Sequence, residues 1–311
     1  MKSTLPGYLS ALLIGTSLSL SAAELVPDPA FECRSCDGWN QPQRPFQICG
    51  NTYYVGTAGL AAILVATEDA QGEPALILID AGLTQSALPI AQNIRELGFE
   101  LEQIKIMLNS HPHFDHAGGM NALQRASGAQ VVVSEGALSA LQTGRVPAHD
   151  PQAGYAPYND FPPVANVRAV GDETQLTLGS VTVTLHLTPG HTPGGSSWSW
   201  RSCVGQNCRT MVYADSLNPV SAPGFKFSAP LAALHGGSTE AQLRHSAERL
   251  RRLDCDVLLT PHPAQFQLQA KLAQREADPE SDPFYNPQAC QEAAHDAELK
   301  LQARLAEERS D

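Results

Sequence analysis

From Asn51 onward, short apolar runs alternate with Gly-rich and acidic turns, give way to helical spacing, and then repeat the sequence of events. Residues 52–55, 60–66 and 75–79 read as successive strands. Across 84–97, Leu88, Ile90, Ala91, Ile94 and Leu97 keep near-helical spacing and predict a helix. A strand over 104–108, a helix over 118–127 and a strand over 130–133 follow. In the second half, 175–178 and 181–187 alternate as a hairpin around Gly179-Ser180. Strands over 196–201 and 210–213, a helix over 239–253, a strand over 257–259 and an amphipathic helix over 290–308 complete the pattern. Strands then helix, twice over, imply two β-rich halves packed together with helices outside, in one α/β domain. Residues 24–50, rich in Pro, Cys and Asn, read as an extended arm, and 145–163 as a loop carrying Tyr155, Tyr158 and Phe161.

The N-terminus has a different character. Lys2 precedes an uncharged apolar run from Leu9 to Leu20, and Ser21-Ala22-Ala23 supplies small residues, so 1–23 read as a cleaved export signal. The run is too short to span ~30 Å of hydrocarbon. A single mature domain over 24–311 in the periplasm is expected, a compartment that permits disulfides. The chain carries 20 Lys+Arg against 32 Asp+Glu, a net charge of −12, which argues against broad nucleic-acid binding. Seven cysteines leave at least one thiol without an intramolecular partner.

The chemistry concentrates in His111-Pro112-His113-Phe114-Asp115-His116, directly after the predicted strand 104–108. Three imidazoles and a carboxylate this close are costly to bury unless a cation binds them, and N/O donors suit zinc. On a tight turn, His111 and His113 can face one point while Asp115 and His116 face a neighbouring one. His191 in Thr188-Pro189-Gly190-His191-Thr192-Pro193-Gly194 and His262 in Thr260-Pro261-His262-Pro263 sit on comparable strand-end turns stiffened by proline. The remaining histidines, His149, His186, His235, His245 and His295, lack such neighbours and read as surface or packing residues. No Ser-x-x-Lys or Gly-x-Ser-x-Gly supports a serine nucleophile.

This constellation resembles the metallo-β-lactamase superfamily, and within it the third subclass of class B β-lactamases, over about residues 51–290. The resemblance implies an αββα sandwich of two face-to-face sheets with helices outside. It also implies two Zn2+ ions, one held by His111, His113 and His191, the other by Asp115, His116 and His262. The other two class B subclasses place a cysteine on the second zinc, in the strand containing Val212-Tyr213-Ala214-Asp215-Ser216; here Ser216 stands in its place. The implied activity is hydrolysis of the β-lactam amide of penicillins, cephalosporins and carbapenems by a metal-bound hydroxide, with Asp115 orienting it. Ser216 and Asn218 would bind the substrate carboxylate, although family members often carry a hydroxyl at the latter position. Loops 145–163 and 219–237 would wall the cleft, with Phe225 and Phe227 as apolar contacts. Asp80, after strand 75–79, would support the metal turn or merely form its own.

Two rival readings remain at this level. Thioester and lactone hydrolases of the same superfamily bridge their metals with an extra aspartate, and Asp215 is the candidate; if Asp215 faced the metals, adjacent Ser216 should not. A non-catalytic zinc carrier would be expected to close each site with four protein ligands, whereas three leave a position open. Cys203 and Cys208 bracket a short turn and should pair, and Cys255 should pin Cys290; both pairs match positions where the subclass often has bridges. Of Cys33 and Cys36, one should join Cys49, with Cys36 favoured. The expected partner is a small-molecule β-lactam substrate, and the mature chain is expected to be a monomer free of the membrane.

Overall fold

The computed structural model describes residues 25–310, and the expected export segment over 1–23 lies outside them. Within Pro74–Ile79, every residue after Pro74 is buried. Leu76 and Leu78 enter one apolar cluster while Ile77 and Ile79 enter another, as side-chain alternation along a strand requires. A strand buried on both faces belongs inside a layered fold, with helices on one side and a second sheet on the other.

The first half runs α1 (Cys36–Trp39), β1 (Phe46–Cys49), β2 (Thr52–Tyr54), β3 (Ile63–Glu68), β4 (Pro74–Ile79), α2 (Ala87–Glu96), β5 (Ile104–Leu108), α3 (Phe114–Ala117), α4 (Met120–Ser127), β6 (Gln130–Ser134), α5 (Leu138–Thr143) and β7 (Val167–Val170). These strands form one sheet in sequence order, antiparallel from β1 to β4 and parallel from β4 to β7. The second half runs β8 (Gln175–Leu178), β9 (Val181–Leu187), β10 (Ser196–Val204), β11 (Asn207–Tyr213), α6 (Thr239–Arg252), β12 (Val257–Leu259), α7 (Leu268–Ala277) and α8 (Ala289–Ser310). Its sheet has the order β12-β11-β10-β9-β8, with only the β11–β12 pair parallel.

Between the sheets, Ile63, Ile77, Leu108 and Val132 share a core with Trp198, Trp200, Met211 and Val257. Ile90 and Ile94 of α2 and Leu123 of α4 cover the outer face of the first sheet. Leu243 and Leu250 of α6 and Leu301 and Leu305 of α8 cover Val212 and Leu258 of the second. This is the αββα sandwich the resemblance implied.

Differences from the predicted elements have local causes. The helix expected over 118–127 begins only at Met120, after Gly118-Gly119, where the chain passes so close to its neighbour that a Cβ at Gly119 would lie 2.3 Å from the Ala81 carbonyl oxygen. The strand expected from residue 60 begins at Ile63, because Thr57 N–H bonds the Leu60 carbonyl in a turn. The short strands β1 and β7 and the helices α5 and α7 were not predicted. In α7 only Leu268 is buried, so its sequence carries little periodicity to read.

The arm is docked rather than extended. Leu25 is buried in the first core, Asp28 accepts from Asn121 and Arg125, and the Phe31 ring stacks on Phe114 at 4.3 Å. Cys203–Cys208 and Cys255–Cys290 pair as expected. The expected Cys36–Cys49 bridge does not form. Cys36 pairs with Cys33, one helical turn away at a Cα separation of 5.1 Å, and Cys49 is a free thiol on β1. Ladder pairing with Thr52 and a hydrogen bond from Ser202 to its carbonyl hold Cys49 in the sheet, whereas the two arm cysteines need no long-range approach.

Candidate metal centre

β5, a central parallel strand, ends at Leu108, and the next residues through His113 are all buried. A buried turn must have its polar groups satisfied internally. Asp80 does this from the end of β4, accepting Ser110 N–H at 2.7 Å, Ser110 Oγ–H at 2.6 Å, Asn109 Nδ2–H at 3.0 Å and Tyr213 O–H at 2.8 Å. Its backbone is left-handed (φ 58°), a conformation Asp tolerates better than most residues. Burial raises its carboxyl above the usual range, although His116 and these donors pull it back. Trp198 Nε1–H reaches the Asn109 carbonyl from the second sheet at 3.1 Å. Of the two readings of Asp80, the structure places it in contact with the histidine turn.

His111, His113 and His191 converge at the ends of the strands, with ring centroids 4.8 to 4.9 Å apart. One nitrogen from each can be chosen so that all lie within 4.8 Å of one another. Each ring spends its other nitrogen outward. His111 Nδ1 lies 2.7 Å from Asp215 Oδ1, and His191 Nδ1–H donates to the Asn218 carbonyl at 2.7 Å. His113 does the reverse, placing Nε2 3.2 Å from Asp150 Oδ1. Those partners leave Nε2 of His111, Nδ1 of His113 and Nε2 of His191 as the inward lone pairs.

Electrostatics favour ligation. Burial and the neighbouring imidazoles hold His111 well below the usual imidazole range, and burial with His113 lowers His191 to about 3, so both rings stay neutral. Burial would lower His113 too, but the Asp150 charge outweighs it and leaves this ring raised. Burial pushes the Asp215 carboxyl well above its ordinary value.

Beside this group, Asp115 Oδ2 lies 3.2 Å from His116 Nε2 and 3.4 Å from His262 Nε2. Burial works against the Asp115 charge, yet His116 and His262 together hold it well below the usual carboxylate range. Asp115 and His116 also cluster tightly with His111, while His262 stands at the open edge, partly exposed. Neither ring nitrogen of His116 has a hydrogen-bond partner, although the ring is completely buried. Such orphaned donors and acceptors are costly, and a cation bound to neutral imidazole and carboxylate would satisfy them. The donor set therefore fits a borderline divalent ion such as zinc.

Asp215 and Ser216 do not both face the metal centre. They lie beyond the end of β11, and Asp215 backs His111 while Ser216 lines the cleft. Gly195 leaves the necessary room, since a Cβ there would stand 2.4 Å from Asp215 Oδ2. Asn218 lines the cleft as expected, and its carbonyl orients His191 in addition. Loop 145–163 does wall the cleft, through Gln152, Tyr155 and Tyr158. Phe225 and Phe227 do not: both pack into the core beneath α6 and α8, where a large apolar ring is stabilised by burial. The arm takes that wall instead, with Phe31 and Trp39 closing a cleft of about 860 Å³. Asp150, Gln152 and these arm residues were missed, because nothing in a loop sequence distinguishes a buried aspartate from an exposed one.

Comparison with known proteins agrees with this geometry. Residues 62–262 match the Metallo-beta-lactamase superfamily. The Rm3 metallo-beta-lactamase structure superposes with a TM-score of 0.83 at 46% identity, covering 89% of this chain and 99% of that one. MEM-A1, a subclass B3 metallo-beta-lactamase from a soil metagenome library, gives 0.81 at 44% identity over 88% and 99%. BJP-1, the subclass B3 enzyme of Bradyrhizobium japonicum, gives 0.76 at 32% identity over 89% and 98%. A hydroxyacylglutathione hydrolase of Anaeromyxobacter dehalogenans is 28% identical over 169 residues, 51% of this chain and 53% of that protein, so the chain spans about half the length of that curated relative. From the family match and these structures together, the chain belongs to the metallo-beta-lactamase superfamily, as a hydrolase built like its subclass B3 members.

Proposed function

We propose that this protein hydrolyses the amide bond of β-lactam antibiotics with two zinc ions and thereby gives resistance to them. The observation that carries the reading is the pair of adjacent donor groups, His111, His113 and His191 beside Asp115 and His116 with His262 next to Asp115, at the floor of a cleft bordered by Ser216 and Asn218. Three ligands per ion leave room for water and substrate, which argues against a closed storage site. Zinc held there supplies Lewis-acid polarisation of the scissile carbonyl and acidifies a water to a pKa near about 7. Asp115, kept ionised by His116 and His262, accepts a hydrogen bond from the attacking water and fixes its direction. The Ser216 hydroxyl and the Asn218 amide donate to the substrate carboxylate. Phe31, Trp39 and Tyr158 present apolar surface that displaces bulk water around the reacting amide.

A thioesterase or lactonase is the second reading, favoured by the hydroxyacylglutathione hydrolase likeness. Asp215 weighs against it, because its Oδ1 is spent on the outward nitrogen of His111. The three disulfides support an oxidising compartment, and we place the mature enzyme in the periplasm as a monomer. No described helix is long and apolar enough to cross a membrane.

The test is turnover of a cephalosporin, a carbapenem, an acyl-glutathione thioester and a lactone by zinc-replete protein, with and without chelator. β-Lactam turnover abolished by chelator is expected. Thioester or lactone turnover without β-lactam turnover would replace this reading with the second, and chelator-insensitive activity would remove the metal from it.

A further inference from the structure

The arm does more than cover the cleft. Cys33-Arg34-Ser35-Cys36 is a two-residue turn closed by a disulfide, and all four of its residues except Cys36 line the cleft. It is clamped at both ends. Upstream, Phe31 stacks on Phe114 and exchanges two backbone hydrogen bonds with the Gln85 side chain. Downstream, Trp39 N–H bonds the Ser35 carbonyl, the Trp39 ring lies 5.3 Å from His262, and Gly59 packs too tightly against Trp39 to admit a Cβ.

Arg34 is the only Lys or Arg among the described residues lining this cleft, in a chain of net charge −12. Its guanidinium is exposed and makes no hydrogen bond or ion pair among the described residues. The acidic groups that share the cleft are Glu32, two residues earlier on the arm, and Asp115, which is engaged with His116 and His262. The arm borders the His262 side, whereas Ser216 and Asn218 border the His191 side. Arg34 on the arm and the pair Ser216 and Asn218 thus line one cleft from different segments of the chain, and that cleft is large enough for a drug-sized ligand.

We propose that Arg34, presented on its disulfide-closed turn, is a specificity-determining residue that takes a second anionic group, a carboxylate on the acyl side chain of a dianionic β-lactam. This rests on the β-lactam reading above. A guanidinium pairs with carboxylate through two parallel N–H donors, and a rigid turn limits the ordering entropy lost on pairing. The preference acts on binding, since Arg34 lies on the wall and not at the reacting amide.

The test compares two β-lactams of one nucleus, one with a carboxylate on its acyl side chain and one with a neutral side chain, on zinc-replete full-length enzyme. Arg34→Gln should raise KM for the dianion by about fivefold, the size of an exposed ion pair, with kcat and the neutral substrate unchanged. Arg34→Lys should retain most of the preference, Glu32→Gln should strengthen it, and added salt should erode it. An Arg34→Gln effect equal on both substrates, or absent from both, overturns the proposal while leaving lactamase activity standing. Turnover of neither substrate by the wild type overturns the lactamase reading and this inference with it.

Discussion

Nδ1 of His111 lies 2.7 Å from Oδ1 of Asp215, with both side chains buried. A carboxylate on the outer nitrogen fixes the imidazole's tautomer and aim, so that its inner nitrogen meets a metal without rearrangement. Asp215→Ala should therefore weaken metal affinity by about 10- to 100-fold, read by chelator competition. Asp215→Asn, whose amide oxygen still accepts from Nδ1–H, should fall between the two. Unchanged affinity in the alanine variant would show that His111 is held by packing alone.

Asp150 serves His113 from the opposite nitrogen, and its backbone-anchored loop explains how. The Gln152 N–H donates to Asp150 Oδ1 at 2.8 Å, fixing the carboxylate before it meets the ring. Asp150→Ala should leave His113 free to present either nitrogen and weaken metal binding by about tenfold or more. Its folding stability in the metal-free state should change little by comparison. A variant that melts early but binds metal normally would assign Asp150 to the fold.

Chelation should lower the melting temperature as well as activity. Five imidazoles and Asp115 crowd together, and neither ring nitrogen of the buried His116 makes a well-formed hydrogen bond. A ligand that binds only the folded state at about 100 times its Kd adds roughly 2.7 kcal/mol. Scanning calorimetry with and without added zinc would read this, and an unchanged midpoint would mean that zinc does not bind the folded state in preference to the unfolded one.

The strand-end histidines were legible because burying them is costly: an imidazole fixed between prolines at the end of an apolar run needs a ligand or a partner to stay there. The sheets were legible for a related reason. The hairpin Gln175–Leu178 and Val181–Leu187 alternates so regularly that its bounds match the structure. What could not be read depended on distant contacts. Phe31 and Phe114 are far apart in sequence, and no local pattern announces that the arm folds back to stack on the metal turn. Phe225 and Phe227 suit a cleft wall and a core equally well by residue type, and only α8 packing against them decides. Cys33 and Cys36 pair within one turn of the arm, and their spacing alone does not distinguish that from a bridge to the sheet.

Glu308 makes a testable pH dependence away from the metals. Its buried carboxylate accepts Phe227 N–H at 2.7 Å, Ser228 N–H at 3.1 Å and Ser228 Oγ–H at 2.7 Å, tying α8 to the loop before α6. Burial disfavours its charge, but the Ser228 and Phe227 donors outweigh that and hold its pKa below the ordinary value. A depressed carboxyl stabilises the fold above its unfolded pKa, near about 4.3, and that contribution disappears as pH falls through the lower folded value. Glu308→Gln should cost about 1 to 3 kcal/mol at neutral pH, with the gap from wild type closing below about pH 4. A pH-independent gap in chemical-denaturation midpoints would show that side-chain shape, and not charge, is responsible.

The three disulfides should differ sharply in what they contribute. A bridge stabilises chiefly by restricting the unfolded chain, and the effect grows with the loop it closes. Cys255–Cys290 closes a separation of 35 residues, against 5 for Cys203–Cys208 and 3 for Cys33–Cys36. It also pins the start of α8, whose Leu301 and Leu305 complete the core over the second sheet. Replacing Cys255 and Cys290 together by Ala should cost about 2 to 4 kcal/mol in denaturant unfolding. Replacing Cys33 and Cys36 by Ser should leave global stability nearly unchanged, because so short a loop restricts little of the unfolded ensemble, yet it should loosen the arm and raise KM. Equal losses of stability from the two double variants would mean that the arm is an integral part of the folding unit rather than a wall added to the cleft.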